Sequence, residues 1–258
     1  MTPRPDEDWD VDILGVRVSA INMDMALKRL EQLVADPHSS YVCITGVHGI
    51  IESQSDEALR EIHNNAAMVT PDGMPTVWSG KRAGAKWMER VYGPDLLLAA
   101  CQYGLSREWR HFFYGGAPGV AGKLTDSLRE RFPTIDIVGN RTPPFRLFDE
   151  AFVQEEVDIV KHTSPDIVWI GLSTPKQEKL AVMLASSWRG PVFIGVGAAF
   201  DFHSESKPQA PKYLQRLGLE WLFRVSQEPR RLGPRYASTI PRFLVSTLSN
   251  KPQLVNRQ

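Results

Sequence analysis

Cysteine is scarce in this sequence, which holds only Cys43 and Cys101 among 258 residues. Two cysteines are too few for a disulfide framework or a zinc cluster, and Cys43 lies in an apolar run where a buried free thiol is the usual state. Long apolar runs are missing too, because no uninterrupted run approaches the ~20 residues of a membrane span. The first residues also lack the basic segment and apolar core of a signal peptide. These absences predict a cytoplasmic protein.

The sequence has no excess charge of either sign, since 30 Lys and Arg residues balance 30 Asp and Glu residues. The charges are nevertheless unevenly spread. Acidic side chains crowd positions 6–12, whereas basic side chains dominate residues 209–258, where only Glu220 and Glu228 oppose them. The basic residues of that end are Lys212, Arg216, Arg224, Arg230, Arg231, Arg235, Arg242, Lys251 and Arg257. A basic end on a neutral protein indicates contact with something anionic.

Short apolar runs alternate with helix-like patterns along most of the chain. The runs with the composition of buried strands are 41–45, 67–70, 111–114, 135–138, 167–170 and 191–195. Strands and helices that alternate at this spacing form βαβ units and a mainly parallel sheet. The predicted fold class is therefore α/β, a Rossmann-like, mainly parallel sheet flanked by helices, with a basic helical appendage at the C-terminus. We expect a disordered leader at 1–10, the α/β core at 11–206 and the appendage at 207–258.

The stretch 165–179 joins one of these buried strands to a helix. Ser173 or Thr174 is placed to cap that helix, with Pro175 in its first turn, where a missing N–H does no harm. The first turn then lies at the carboxyl edge of the sheet, where open α/β folds bind ligands and a helix N-terminus favours anions. An ordinary strand-turn-helix unit explains this stretch equally well when it is considered alone. The polar residues of that turn are Lys176, Gln177 and Glu178.

Asp72 follows another predicted strand and stands between Pro71 and Gly73. An aspartate before glycine is often part of an Asx turn or the cap of a helix. A carboxylate at the carboxyl end of a strand can also act as a general base. Both interpretations remain open for this residue on sequence alone.

Two patterns suggest nucleotide or metal binding only weakly. The glycines of 115–122 lie between a strand and a helix, but their spacing matches neither the Walker A loop nor the G-x-G-x-x-G fingerprint. Asp8, Asp10 and Asp12 superficially resemble the Asp-x-Asp metal motif, but no buried strand precedes them. We therefore expect no metal site and no bound cofactor.

Several motifs together resemble the WecG/TagA/CpsF family of bacterial glycosyltransferases. They occur in family order over roughly residues 12–245, and the Pro-Lys-Gln-Glu block and the Glu-Trp-Leu-Phe-Arg block are the most specific. The matching segments are 70–73, 90–96, 165–179, 195–201, 210–211, 218–224 and 227–231.

The resemblance implies an inverting, metal-independent enzyme that moves a sugar from a UDP-sugar to a polyprenyl-diphosphate-linked acceptor. Such enzymes make teichoic acid, common antigen or exopolysaccharide, with donors that carry N-acetylmannosamine, N-acetylmannosaminuronic acid, glucose or glucuronic acid. The resemblance assigns the general base to Asp72. It assigns substrate contacts to Thr45, Arg90, Gln177, Asp201, Arg224, Arg230 and Arg231.

The sequence departs from the family pattern after the first buried strand. Some members have Thr-x-Asn where this chain has Thr45-Gly-Val47, and we expect His48 to take over part of the role of that asparagine. Ser173 and Thr174 also stand where glycine and alanine are frequent.

The basic C-terminal end has two interpretations. Its apolar residues between 236 and 248 suit an amphipathic helix on an anionic membrane, and they equally suit a helix docked on the protein's own core. The first interpretation predicts a peripheral protein on the inner face of the cell membrane, with no nucleic acid partner. Exposed apolar surface near this end would permit a homo-oligomer.

Two other classes of function stay open on the residues alone. The βαβ pattern and Gly115-Gly116 would suit an NAD-dependent oxidoreductase, although the acidic residue ~20 positions further on is missing. A non-catalytic nucleotide-binding protein or membrane scaffold is the other alternative, and Asp72 argues against it.

Overall fold

The structure is a computed structural model that describes residues 4, 7–144, 146 and 148–257. Residues 1–3, 5 and 6 of the leader predicted at 1–10 lie outside the described residues. The first strand begins at Trp9, so the end of the predicted leader is part of a sheet. In chain order the elements are β1 (Trp9–Ile13), β2 (Val16–Ser19), α1 (Met23–Ala35), β3 (Ser40–Thr45), α2 (Val47–Glu52), α3 (Glu57–Asn65), β4 (Met68–Pro71), α4 (Met74–Ala83), α5 (Gly93–Gly104), β5 (Arg110–Gly115), α6 (Val120–Arg131), β6 (Asp136–Arg141), α7 (Glu150–Val160), β7 (Ile167–Gly171), α8 (Lys176–Ser187), β8 (Val192–Gly195), α9 (Ala199–His203), α10 (Lys212–Arg216), α11 (Glu220–Gln227), α12 (Pro229–Ser249) and β9 (Gln253–Asn256).

Six strands form one parallel sheet in the order β4-β3-β8-β7-β5-β6. This arrangement confirms the predicted Rossmann-like α/β fold. The strands end nearly level, since Thr45 is paired with Pro71 and Ile170 with Gly195. The turns that follow β3, β4, β7 and β8 therefore open at the same edge of the sheet, where ligands of such folds bind.

Helices cover both faces of this sheet, which explains why its strands are almost wholly apolar. Successive side chains of a strand point to opposite faces. In β7, Ile167 and Trp169 join the apolar cluster beneath α1, α5 and α6. Val168 and Ile170 join the cluster beneath α7 and α8. The strand is buried from both sides and supplies a rigid base for the turn that follows it.

The turn from β7 into α8 differs from the prediction. Helix α8 begins at Lys176, with Pro175 at the capping position, and neither Ser173 nor Thr174 caps it. Pro175, which follows a cis peptide bond, therefore stands one residue before the helix and not in its first turn. The hydroxyl of Thr174 donates instead to the carboxylate of Glu178, at 2.8 Å.

A smaller antiparallel sheet in the order β2-β1-β9 joins the two ends of the chain. In it, β9 pairs with β1 from Trp9↔Asn256 to Asp12↔Gln253. The backbone N–H of Arg257 also donates to the carbonyl of Asp8, at 2.9 Å. The segment 207–258, predicted to be helical, contains α10, α11 and α12, and the prediction omitted only the short strand β9 at its end.

Helix α12 packs on the core of the protein along one face and exposes apolar side chains along another. Phe243 is 3% exposed and packs into the cluster around Ile50 and Met88, so one face of the helix is docked on the core. Leu244, Val245 and Leu248 on the same helix are 54%, 65% and 70% exposed. Within the described part of the chain, no helix is both long enough and apolar enough to cross a membrane.

Candidate active site

A cavity of about 1010 Å³ opens at the carboxyl edge of the parallel sheet. Turns after β3, β4, β7 and β8 line one side of it, and α11 and α12 line the other. All but one of the residues predicted to act as base or to bind substrate line this cavity. They are Thr45, His48, Asp72, Arg90, Gln177, Asp201, Arg224 and Arg231. The exception is Arg230, which is exposed and lies outside the lining.

Asp72 is fixed by the turn that follows β4. Its backbone N–H donates to the carbonyl of Thr45, at 3.0 Å, which ties the ends of β3 and β4 together. A Cβ at Gly46 would lie 2.7 Å from the carbonyl oxygen of Asp72, so this close approach requires glycine. Gly73, and not Asp72, holds the capping position of α4, and no side chain caps that helix. The helix-cap interpretation of Asp72 is therefore wrong, and its carboxylate is left to face the cavity.

The surroundings of Asp72 favour a carboxyl group that can accept a proton near neutral pH. Burial raises the pKa of Asp72 to about 6, although Arg90 works in the opposite direction. The nearest guanidinium nitrogen of Arg90 is 3.8 Å from Oδ1 of Asp72, and the Asp72 side chain remains 33% exposed. A general base works best when its pKa lies near the working pH, which this carboxylate satisfies.

Arg90 is already engaged by protein groups. One terminal nitrogen donates to the carboxylate of Glu220, and the other donates to Oε1 of Gln215, at 3.1 Å. Its guanidinium also lies 3.8 Å from the centre of the Tyr92 ring, and the Tyr92 hydroxyl donates to Glu220 at 2.7 Å. Arg90, which was predicted to bind substrate, thus connects the core to the C-terminal segment through hydrogen bonds. Glu220 escaped the sequence analysis, although it is one of only two acidic residues in a basic segment.

The floor of the cavity presents buried polar atoms. Thr45 Oγ1, Gln177 Oε1 and Glu178 Oε2 have no hydrogen-bond partner among the described residues. These side chains are 1%, 4% and 2% exposed, and buried polar atoms are normally paired. The amide nitrogen of Gln177 donates to Oε1 of Glu178, at 3.1 Å. Burial also raises the pKa of Glu178. The three unpaired atoms are therefore available to hydrogen-bond a polar ligand in the cavity.

The arginines of the far wall are not equivalent. Arg231 pairs with Glu228, which also binds Lys207, and Lys207 in turn reaches Asp201 at 3.1 Å. Asp201 and Arg231 are therefore neutralised by protein groups.

Arg224 and Arg235 line the cavity without a carboxylate at ion-pair distance in the described chain. Burial, followed by the charges of Arg231 and Arg224, lowers the pKa of Arg235. Burial, followed by the positive charges of Arg235 and Arg224, lowers the pKa of His48 to about 4, so this ring is neutral at physiological pH. The unpaired positive charge around His48 makes this wall chemically suited to binding an anion. Arg235 was missed from sequence, although it lies four residues after Arg231, on the same helical face.

The glycine loop after β5 has a packing explanation. Gly115 has φ of 116°, and a Cβ there would lie 2.8 Å from the carbonyl oxygen of Gly171 on β7. The N–H of Gly116 donates to that same oxygen at 2.8 Å. The two glycines allow the ends of β5 and β7 to approach closely. Packing therefore explains the glycines that would have suited an NAD-dependent oxidoreductase.

The acidic residues near the N-terminus have structural partners. Oδ1 of Asp12 accepts the N–H of Gly15 at 2.7 Å, within the β1–β2 hairpin. Asp10 lies 3.5 Å from the guanidinium of Arg257. In the described residues, no three His, Cys, Asp or Glu side chains are grouped in a way that could hold a metal ion.

Comparison with known proteins agrees with the motifs. Three similar proteins bear the name N-acetylglucosaminyldiphosphoundecaprenol N-acetyl-beta-D-mannosaminyltransferase. That of Bacillus spizizenii is 25% identical over 229 residues, which cover 87% of this chain and 85% of the relative. That of Bacillus subtilis is 26% identical over 188 residues, 70% of each chain. That of Staphylococcus aureus is 23% identical over 246 residues, 95% of this chain and 94% of the relative. Residues 11–257 match the sequence pattern of one glycosyl transferase family, and the chain therefore belongs to the WecG/TagA/CpsF family.

Proposed function

We propose that this enzyme transfers N-acetylmannosamine from UDP to an N-acetylglucosaminyl diphosphate carried on a polyprenyl chain. The names of the relatives supply the transferred sugar and the acceptor. The observation that carries the proposal is the pairing, in one cavity, of the Asp72 carboxylate with two cations free of carboxylate partners. A base and an anion site are what sugar transfer from a nucleoside diphosphate needs.

The reaction follows from these groups. Asp72 accepts the proton of the attacking acceptor hydroxyl, whose oxygen forms a bond to the anomeric carbon of the donor. The bond from that carbon to the diphosphate breaks on the opposite face, and its electron pair leaves with UDP, so the configuration inverts. Arg224 and Arg235 bind the diphosphate oxygens as their negative charge grows, and guanidinium groups suit phosphate because they bind it through two hydrogen bonds. Fixed cations of this kind take the place that a metal ion has in other transferases, and the proposed reaction is metal-independent.

The test is UDP release from a panel of UDP-sugars in the presence of an N-acetylglucosaminyl-diphosphate lipid with a short polyprenyl chain. The panel contains UDP-N-acetylmannosamine, its uronic acid, UDP-glucose and UDP-glucuronic acid. We expect activity with UDP-N-acetylmannosamine that is unchanged by EDTA. Activity that disappears in EDTA and returns with Mg²⁺ would refute the metal-free reaction, and a preference for another donor would refute the assigned sugar.

We further propose that the exposed face of α12 rests on an anionic membrane, where the lipid acceptor lies. The apolar side chains of Leu244, Val245 and Leu248 point away from the core, and each Lys or Arg near an anionic leaflet adds ~1 kcal/mol. This arrangement is that of a peripheral amphipathic helix.

Co-sedimentation with vesicles of phosphatidylglycerol and phosphatidylcholine measures this contact. Changing Val245 and Leu248 to serine is expected to weaken binding by roughly tenfold or more, since two large apolar side chains leave the interface. Ile159→Ser is the control, because Ile159 is also exposed, at 39%, but lies on α7. Equal binding by the wild type, the double serine variant and Ile159→Ser would show that α12 is not the membrane contact.

A further inference from the structure

Glu220, in the C-terminal segment, contacts Arg90, whose guanidinium faces the proposed base Asp72. It opens α11, and its side chain is 13% exposed. One carboxylate oxygen accepts a hydrogen bond from a terminal nitrogen of Arg90, and the other accepts one from the hydroxyl of Tyr92, at 2.7 Å. Both oxygens of Glu220 are thus committed to residues of the loop before α5.

Arg90 lies between two carboxylates and is bonded to only one of them. It donates a hydrogen bond to Glu220, whereas Oδ1 of Asp72 is 3.8 Å away. Gln215 of α10 holds the other terminal nitrogen of Arg90 at 3.1 Å. Its own amide is anchored by donating to the carbonyl of Ala210 at 2.7 Å. Two helices of the C-terminal segment therefore fix the direction in which the guanidinium points.

We propose that Glu220 is a positioning residue that holds Arg90 away from Asp72 and so keeps the Asp72 carboxylate free to take a proton. The proposal rests on the proposed function, because it concerns the base of that reaction. It also means that the docked C-terminal segment sets the basicity of a residue in the core.

The physical argument depends on the charges that face Asp72. Arg90 and Arg224 favour its ionised form, whereas Glu220 and Asp95 disfavour it. The hydroxyls of Tyr92 and Tyr236 also lie near these groups. Without the charge of Glu220, the guanidinium of Arg90 can turn towards Asp72 and form a close ion pair with its carboxylate. An opposite charge in contact lowers a carboxyl pKa by about 1–3 units, and a weaker base transfers the proton less well.

Glu220→Gln tests this, since glutamine keeps the shape and an acceptor for Tyr92 but not the charge. The acidic limb of the pH profile of kcat/KM is expected to move to lower pH by about one unit or more. The rate on the plateau is expected to fall about tenfold. Arg90→Gln is expected to move the same limb to higher pH. A limb that stays in place in Glu220→Gln would overturn the proposal.

The double variant separates the route through Arg90 from a direct effect of the lost charge. In the Arg90→Gln background, Glu220→Gln should shift the limb by less than half as much as it does in the wild type. Equal shifts in both backgrounds would show that Glu220 acts without Arg90. If Glu220→Gln melts early, Tyr92→Phe is used in its place, because it removes only the hydroxyl that orients Glu220. It should shift the limb in the same direction by less, and an unmoved limb would count against the proposal.

The chain offers a matched control in Glu31 on α1. Glu31 accepts the Tyr103 hydroxyl and Nε of Arg107, both at 2.7 Å, and this guanidinium lies 3.6 Å from the centre of the Tyr103 ring. The arrangement copies that of Glu220 but does not line the cavity. Glu31→Gln is expected to leave the pH profile unchanged, and a shift as large as that of Glu220→Gln would overturn the proposal.

The titration of Asp72 can also be followed without activity, from carbon-13 carboxyl resonances assigned by comparison with Asp72→Asn. A lowered pKa in Glu220→Gln supports the proposal and an unchanged one overturns it. Full activity of Asp72→Asn would instead show that Asp72 is not the base of the proposed reaction, and absence of sugar transfer by the wild type would overturn the proposed function itself. The two failures are therefore distinguishable.

Discussion

Asp72→Asn is expected to lower the rate of sugar transfer near neutral pH by at least about a hundredfold. Asparagine has the same shape but cannot accept the proton of the attacking hydroxyl. In the wild type, the pKa of Asp72 is raised to about 6 by burial, so kcat/KM should fall as the pH drops below that value. The measurement is single-turnover transfer from UDP-N-acetylmannosamine over a range of pH. The loss should appear in kcat more than in KM, because a base acts in the transition state.

The stability of the same variant supplies its control. The folded-state pKa of Asp72 is raised above its ordinary value, so the folded protein holds a proton that the unfolded chain has lost between about pH 4 and pH 6. Above about pH 6 the ionised carboxylate therefore costs stability. Asp72→Asn should be more stable than the wild type near neutral pH by on the order of 1 kcal/mol, after discounting for partial exposure. Below about pH 4 this difference should vanish.

These two measurements separate chemistry from folding. A variant that is inactive but melts no earlier than the wild type has lost the base. Transfer at the wild-type rate by Asp72→Asn would remove Asp72 from that role and return attention to the other ionisable side chain of the cavity floor, Glu178.

Much of the sheet edge could be predicted because local signals and tertiary structure agree there. Apolar runs ended by glycine or proline placed Thr45, Asp72 and Gln177 at the carboxyl ends of strands. Parallel pairing then brings such ends to one edge. The order of the strands alone therefore brings Thr45 and Gln177 to the same edge, although they are 132 positions apart in the sequence.

The C-terminal segment was harder to predict because its structure depends on contacts that leave no local pattern. Pro234 and Pro241 lie inside α12, and proline normally interrupts a helix, so an unbroken helix over 229–249 was not expected. Strand β9 pairs with a partner at the opposite end of the chain. Neighbouring positions on a helix point in directions about 100° apart, so a correct choice between Arg230 and Arg231 needed the docked orientation of α12.

The free cations of the cavity wall give the second large effect. Arg224→Gln and Arg235→Gln are each expected to lower kcat/KM by roughly tenfold to a hundredfold, since each removes a charged donor from the departing diphosphate. The double variant should lose more than either single one. Added salt should weaken donor binding in the wild type and weaken it less in the double variant, because screening acts on the charges that have been removed. Steady-state kinetics at two ionic strengths, with UDP binding measured by calorimetry, follow both effects.

Arg230→Gln is the matched control, because it makes the same change of charge on the same helix but outside the cavity lining. If it leaves UDP affinity and kcat/KM as in the wild type while Arg235→Gln lowers both, the wall acts through particular guanidinium groups. If Arg230→Gln and Arg235→Gln are equally impaired, the segment contributes only a diffuse positive field. The two outcomes differ physically, since a diffuse field decays within a Debye length of ~10 Å and fades with salt. A paired guanidinium holds the leaving oxygens at hydrogen-bond distance, where the charge of the transition state develops.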